Sequence, residues 1–169
     1  FKGAVISNTA WNSGTLNAQP YDIDGFPGTF SQSELERIQY IWQRVAEDYA
    51  PFDVDVTTEA PSADVLTRNG STDQVFGTSV LITSKSGVYS CSCGGVAYVG
   101  IFDEASDYYK PALVFYDALG GGNEKQYDIF FKDAVDGLGF GSHDDDRDRD
   151  RVDHRPDQPV DLARLQPAQ

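Results

Sequence analysis

The segment between Phe30 and Pro51 leaves this chain the least conformational choice. Ser31 followed three residues later by Glu34 is a capping box. The serine oxygen takes an orphan backbone N–H of the first turn, and the glutamate reaches back to the cap's own N–H. Phe30 and Leu35 stand at the two positions where a hydrophobic staple packs. Leu35, Ile38, Trp42, Val45 and Tyr49 recur at helical spacing and make one apolar stripe, so one face of the helix belongs to a core. Pro51 sets the stop, because the residue before a proline, here Ala50, is pushed out of helical geometry. Such a helix needs a second layer to cover its stripe.

The rest of the chain supplies strands for that layer. Ala4-Val5-Ile6 reads as the tail of a strand whose beginning is lost, and Trp11 to Gly28, rich in Asn, Gly, Pro and Ser, reads as loop. Within it Asp22-Ile-Asp24-Gly25 resembles half a calcium loop, but the Gly arrives too early and no acidic residue closes the loop, so a turn is the reading. Phe52 to Thr58 alternates apolar with polar and predicts a strand with one wet face. Pro61 to Gly77 is connector, with a helical turn over Ala63 to Thr67 and a turn and glycosylation sequon at Asn69-Gly70-Ser71. Ser79 to Thr83 is apolar on both sides and predicts a central strand. Val96 to Ile101 is a fourth strand, and Ala112 to Tyr116, bounded by Pro111 and Gly120-Gly121-Gly122, is a fifth. A second helix follows a polar cap at Asn123, with Tyr127, Phe131, Ala134 and Leu138 on one face and Asp128, Lys132 and Asp136 opposite. Two main helices among several strands give the class α/β (α+β), with a sheet covered mainly on one face.

Composition narrows the partners. One domain's worth of chain, 169 residues, is long enough to bury a core. A formal net charge of −14 argues against nucleic acid or an anionic membrane, which would both repel it. No apolar run approaches the roughly 20 residues needed to span a bilayer. The chain begins Phe1-Lys-Gly and holds no Met, so the expectation is a processed or cut piece whose targeting segment is missing. Cys91 and Cys93 are too few for a disulfide scaffold. They could close on each other or ligate a soft metal with partners elsewhere, and the structural pair is the preferred reading. Beyond Ser142 the composition shifts: residues 143–169 hold eight Asp, five Arg, three Pro and no aromatic, so a solvated tail is expected after a domain of residues 1–142. A calcium loop needs Gly at its sixth place, where counting from Asp144 or Asp146 finds Arg149 or Arg151.

Several blocks together resemble a known family. They are Trp11-Asn12, Thr29-Phe30-Ser31, Glu34 to Ile38, and above all Ile41-Trp-Gln-Arg-Val-Ala-Glu-Asp-Tyr-Ala-Pro-Phe-Asp-Val-Asp-Val-Thr-Thr-Glu59. Cys93-Gly-Gly-Val-Ala-Tyr-Val-Gly100 and Pro111 to Lys125 complete the set. In this order they are similar to secreted bacterial zinc metallopeptidases of the metzincin type, over residues 1 to about 125. The resemblance implies a zincin-like fold with a mixed twisted sheet, here truncated at both ends, and a secreted protein acting on peptide or protein with a zinc cofactor; a monomer is expected.

The next segment of that family carries H-E-x-x-H-x-x-G-x-x-H-D. Two His one helical turn apart point at one zinc, a third arrives after a Gly, and the Glu is the general base. Laid on this pattern without gaps, Asp133 falls at the first His, Ala134 at the Glu, Gly137 at the second His and Phe140 at the Gly. Only His143 and Asp144 match, so His143 is the sole candidate metal ligand carried over. Asp133 could ligate a hard cation but lacks converging partners. His143 and His154, the latter in the charged tail, are the only histidines, so three cannot be assembled. With no Met, the Met-containing turn beneath the zinc is missing too. Alanine at the base position alone costs about two to four orders of magnitude in rate.

Three expectations follow: a metallopeptidase-family domain that neither binds zinc nor catalyses, a non-catalytic binding or structural module on the same fold, or a frame-altered fragment of an active enzyme. The uncovered apolar surface of a truncated domain also predicts marginal folding in isolation.

Overall fold

The computed structural model describes residues 1–60 and 62–119, together with the backbone of Val160–Asp161. The second helix expected over 127–138, the residues laid on the zinc motif, His143 and His154 lie outside the described residues. Among the described residues one α-helix packs with two small sheets, an α+β arrangement.

The chain opens on a hairpin. Strand β1 (Ala4–Thr9) pairs antiparallel with β2 (Asn12–Ala18), with Ile6 opposite Leu16 and Ala4 opposite Ala18. This corrects two expectations, since Ala4 to Ile6 is not a strand tail and the loop assigned from Trp11 begins only after Ala18. The polar composition of β2 hid it, because its buried side chains are Leu16 and Ala18 alone. Asn8 sits at φ 58 where the register shifts between Ser7 and Thr9, a left-handed position that Asn tolerates better than most side chains.

Helix α1 (Gln32–Tyr49) forms as its capping box dictates, with both reciprocal bonds between Ser31 and Glu34 present. Its end is reached differently from the expectation. Ala50 stays in right-handed helical geometry (φ −53, ψ −29), with its N–H on the carbonyl of Glu47. Pro51 has no N–H to continue the ladder, which is sufficient to stop it. The stripe is also rotated from the one expected. Leu35 is 47% and Trp42 38% exposed, whereas the covered line runs through Glu34, Ile38, Ile41, Val45 and Tyr49. Trp42 instead donates its indole N–H to the Val56 carbonyl at 2.6 Å. Phe30 packs with Ile38 against the cluster of Tyr21, Ile41, Ile82, Val114 and Leu119, while Leu35 stays exposed.

The main sheet has the order β3-β5-β4-β6, from β3 (Val80–Thr83), β4 (Gly95–Ala97), β5 (Ala112–Phe115) and β6 (Val160–Asp161). β3 and β5 run parallel, and β4 is antiparallel to both β5 and β6. β5 is therefore a central strand, flanked by β3 and β4, and its four residues are all 0% exposed. The sequence pattern expects Ser79 to Thr83 to be central, but among the described residues β3 stands at the end of the hydrogen-bonded order. Its apolar run reflects cover on both faces, which a sequence pattern cannot tell from having two neighbours. Alternate residues divide the core: Ile82 and Val114 join Ile41, while Leu81, Leu113 and Phe115 join Ile6, Trp11, Leu16 and Ala18. The hairpin is held there by Thr83 Oγ1 donating to the Gln19 carbonyl at 2.8 Å and Trp11 Nε1 to the Pro111 carbonyl at 2.8 Å.

Phe52 to Thr58 is no strand. Its alternation survives as burial, with Val54 and Val56 packed on the core, but it forms no ladder. The fourth strand is shorter than expected, although Tyr98 and Ile101 beyond it are buried. The turn expected near Ala63 is a 3₁₀ segment over Ala63–Leu66.

Candidate functional site

Among the described residues, three carboxylates come together where the loop after the hairpin meets the start of α1. Asp22 folds the loop around itself: its Oδ1 accepts from the backbone N–H groups of Asp24 (3.1 Å), Gly25 (2.6 Å) and Phe26 (3.1 Å). Gly25 sits at φ 86, a position that tolerates few side chains. Asp24 Oδ1 accepts from Phe26 N–H at 3.0 Å. Asp22 to Gly25 is thus a turn, as its spacing indicated.

Glu34 closes the arrangement from the helix. It is 1% exposed, and its Oε1 accepts from Ile23 N–H at 2.8 Å. Its Oε2 accepts from Ser31 N–H at 2.8 Å and Ser31 Oγ at 3.1 Å. One carboxylate therefore caps the helix and ties the turn to it. The sequence shows the first role through the capping box and gives no sign of the second, because Ile23 contributes only a backbone N–H. One ligand oxygen each of Asp22, Asp24 and Glu34 lie within 4.8 Å of one another. Such an oxygen-only set suits a hard cation rather than zinc in a histidine site. Much of its acceptor capacity is already spent on N–H groups of the turn and the cap.

Residues 1–142 contain no histidine. Cys91 and Cys93 form a disulfide with each other, so the alternative that they ligate a soft metal is not realised. Their loop is pinned by Lys85 Nζ donating to the Cys91 carbonyl at 2.9 Å. Tyr89 in the same loop stacks on Phe115 at 6.3 Å and meets Trp11 edge-on at 5.8 Å.

No family model, curated protein or solved structure matches this chain.

Lys110 is a charged residue that no sequence pattern marks out. It is 3% exposed, and its Nζ donates to the carbonyls of Leu66 (2.5 Å) and Gly77 (2.9 Å), anchoring the connector to the approach of β5. Burial holds its pKa below the usual lysine range, opposed by the charges of Asp107, Glu104 and Asp103. Burial also raises the Tyr116 phenol, which stacks edge-on with Tyr21 at 4.9 Å. Asp22 lies beside Tyr116, its backbone N–H bonding the phenol and its charge adding to the rise.

Proposed function

We propose that this chain is a metallopeptidase-family domain of the metzincin type, with a zincin-like fold, that does not catalyse peptide hydrolysis. Three things support the family: the sequence blocks running in order from Trp11 to Lys125, the helix they predict over Gln32–Tyr49, and the mixed sheet beside it. The observation that carries the loss of chemistry is the histidine inventory. Two histidines, both after Ser142, cannot furnish a three-His zinc site, and Ala134 stands where the pattern has its general base. His143 alone would give a zinc ion one of the ligands it needs.

No helix among the described residues is long and apolar enough to cross a membrane. We place the protein outside the cell, as the resemblance implies; a disulfide at Cys91–Cys93 favours an oxidising compartment. Its partners in this reading are peptides or proteins, engaged by a monomer, with nucleic acid disfavoured by the charge of −14.

Casein hydrolysis by the purified full chain, with and without added zinc and with chelator, tests the reading. The expected result is no chelator-sensitive hydrolysis; turnover that zinc restores and chelator abolishes would overturn it. Sequencing the coding DNA on both sides of the codon for Lys125 separates an inherited loss from a frame alteration, which would show H-E-x-x-H in a neighbouring frame.

A further inference from the structure

β4 pairs with β5 on one side, and among the described residues its far edge is met by two residues distant in the chain. Val160 pairs with Ala97 and Asp161 with Val96, antiparallel. The geometry of β4 shows which backbone groups are concerned. Phe115 N–H donates to the Gly94 carbonyl at 2.7 Å, and Gly95 and Val96 stand opposite Val114 and Leu113. Antiparallel ladders alternate, so Val96 also turns its N–H and C=O toward β5, while Gly95 and Ala97 turn theirs to the other edge. The Ala97 groups therefore face Val160. Ala97 is only 1% exposed, and a buried N–H or C=O left unmatched there would be costly.

We propose that the segment carrying Val160–Asp161 is a built-in occupant of the β4 edge, added as an extra strand that masks this edge from extended peptides and from the edges of other copies. Strand addition to a sheet edge is a general way of binding extended peptide through main-chain hydrogen bonds, and an uncovered edge is a template for association. An occupant joined to its own sheet binds intramolecularly, so a peptide in solution must compete with its effective concentration to displace it. The proposal is independent of the metallopeptidase reading, since it uses only backbone pairing.

The test compares the full chain with its Val160→Pro variant, in which residue 160 has no N–H to donate. Hydrogen exchange at the Ala97 amide is expected to be at least ten-fold faster in the variant, with the β5 amides Leu113 and Val114 unchanged. A synthetic peptide reproducing residues 155–165 is expected to bind the variant at least ten-fold more tightly than the wild-type chain. Equal exchange at Ala97 in the two chains, or equal peptide binding, overturns the proposal. Should the variant lose protection in β5 as well, the wild-type chain decides alone: a cross-strand NOE between Val96 and Asp161 supports the masking, and its absence overturns it.

Discussion

Replacing Glu34 is the sharpest probe of how this domain is joined. Its carboxylate is 1% exposed and accepts from Ile23 N–H, Ser31 N–H and Ser31 Oγ at 2.8, 2.8 and 3.1 Å. Hydrogen bonds to a charged acceptor contribute about 1.5–3 kcal/mol each, and loss of a cap costs about 1 kcal/mol. These terms share atoms and do not add, so Glu34→Ala is expected to cost about 3 kcal/mol, a large part of a typical domain's 5–15 kcal/mol. Glu34→Gln keeps the shape but turns an amide donor toward one of the backbone N–H groups, and about 1–3 kcal/mol is expected. An opposing effect exists: Asp22 and Asp24 lie within 4.8 Å of Glu34, and neutralising one of three carboxylates relieves repulsion. The geometry favours the hydrogen bonds, because each Glu34 oxygen already faces an N–H. Urea unfolding read by circular dichroism measures both variants, with an unchanged m value required for the comparison. Glu36→Ala, on the exposed side of the same turn, is the control and should stay within about 0.5 kcal/mol of wild type. If Glu34→Gln stabilises the protein, or Glu34→Ala behaves like the control, repulsion outweighs the closing bonds and the reasoning fails.

Other perturbations have equally definite outcomes. Leu113→Ala empties a site that is 0% exposed in β5, so thermal or urea unfolding should show a loss of about 2–5 kcal/mol. Burial makes folded Lys110 release its proton below the 10.5 of a free lysine, so in the window just below that value the unfolded chain holds more protons and stability rises with pH. Lys110→Met should remove that rise, seen as the difference between the two chains' urea midpoints across alkaline pH; parallel profiles would contradict it. Reduction of Cys91–Cys93 opens a loop closed across only two positions, and the chain-entropy estimate gives a loss of about 1.5 kcal/mol by urea unfolding with and without reductant. A chain that unfolds outright on reduction would show that the aromatic contacts of Tyr89 depend on the bond.

Local chemistry was legible where it acts between near neighbours. Ser31 and Glu34 fix the start of α1 within one turn, Asp22 to Gly25 is a turn, and Ala112 to Phe115 is a strand from its apolar run alone. What the sequence could not show depends on distant partners. β2 is polar because only Leu16 and Ala18 meet the core, so its pairing with β1 leaves no strong pattern. Phe52 to Thr58 has a strand's alternation but no neighbouring ladder to join. Leu35 and Trp42 fit helical spacing as well as Ile41 does, and only the position of Ile82 and Val114 decides which line is covered. The candidate site divides in the same way: the cap and the turn are each local, while Glu34 binding Ile23 N–H joins them. Lys110 illustrates the limit, since its partners are carbonyls of Leu66 and Gly77, and carbonyls are present in every residue.

The zinc-to-protein ratio tests most directly the proposal that this is a metallopeptidase-family domain without zinc chemistry. The full chain is equilibrated with zinc at neutral pH, freed of excess by dialysis and measured by elemental mass spectrometry, with a melt recorded before and after chelator. The account predicts far less than one zinc per chain and a melting temperature that chelator does not change. One tightly held zinc per chain, lost on chelation or in His143→Ala and accompanied by a drop in melting temperature, would contradict it.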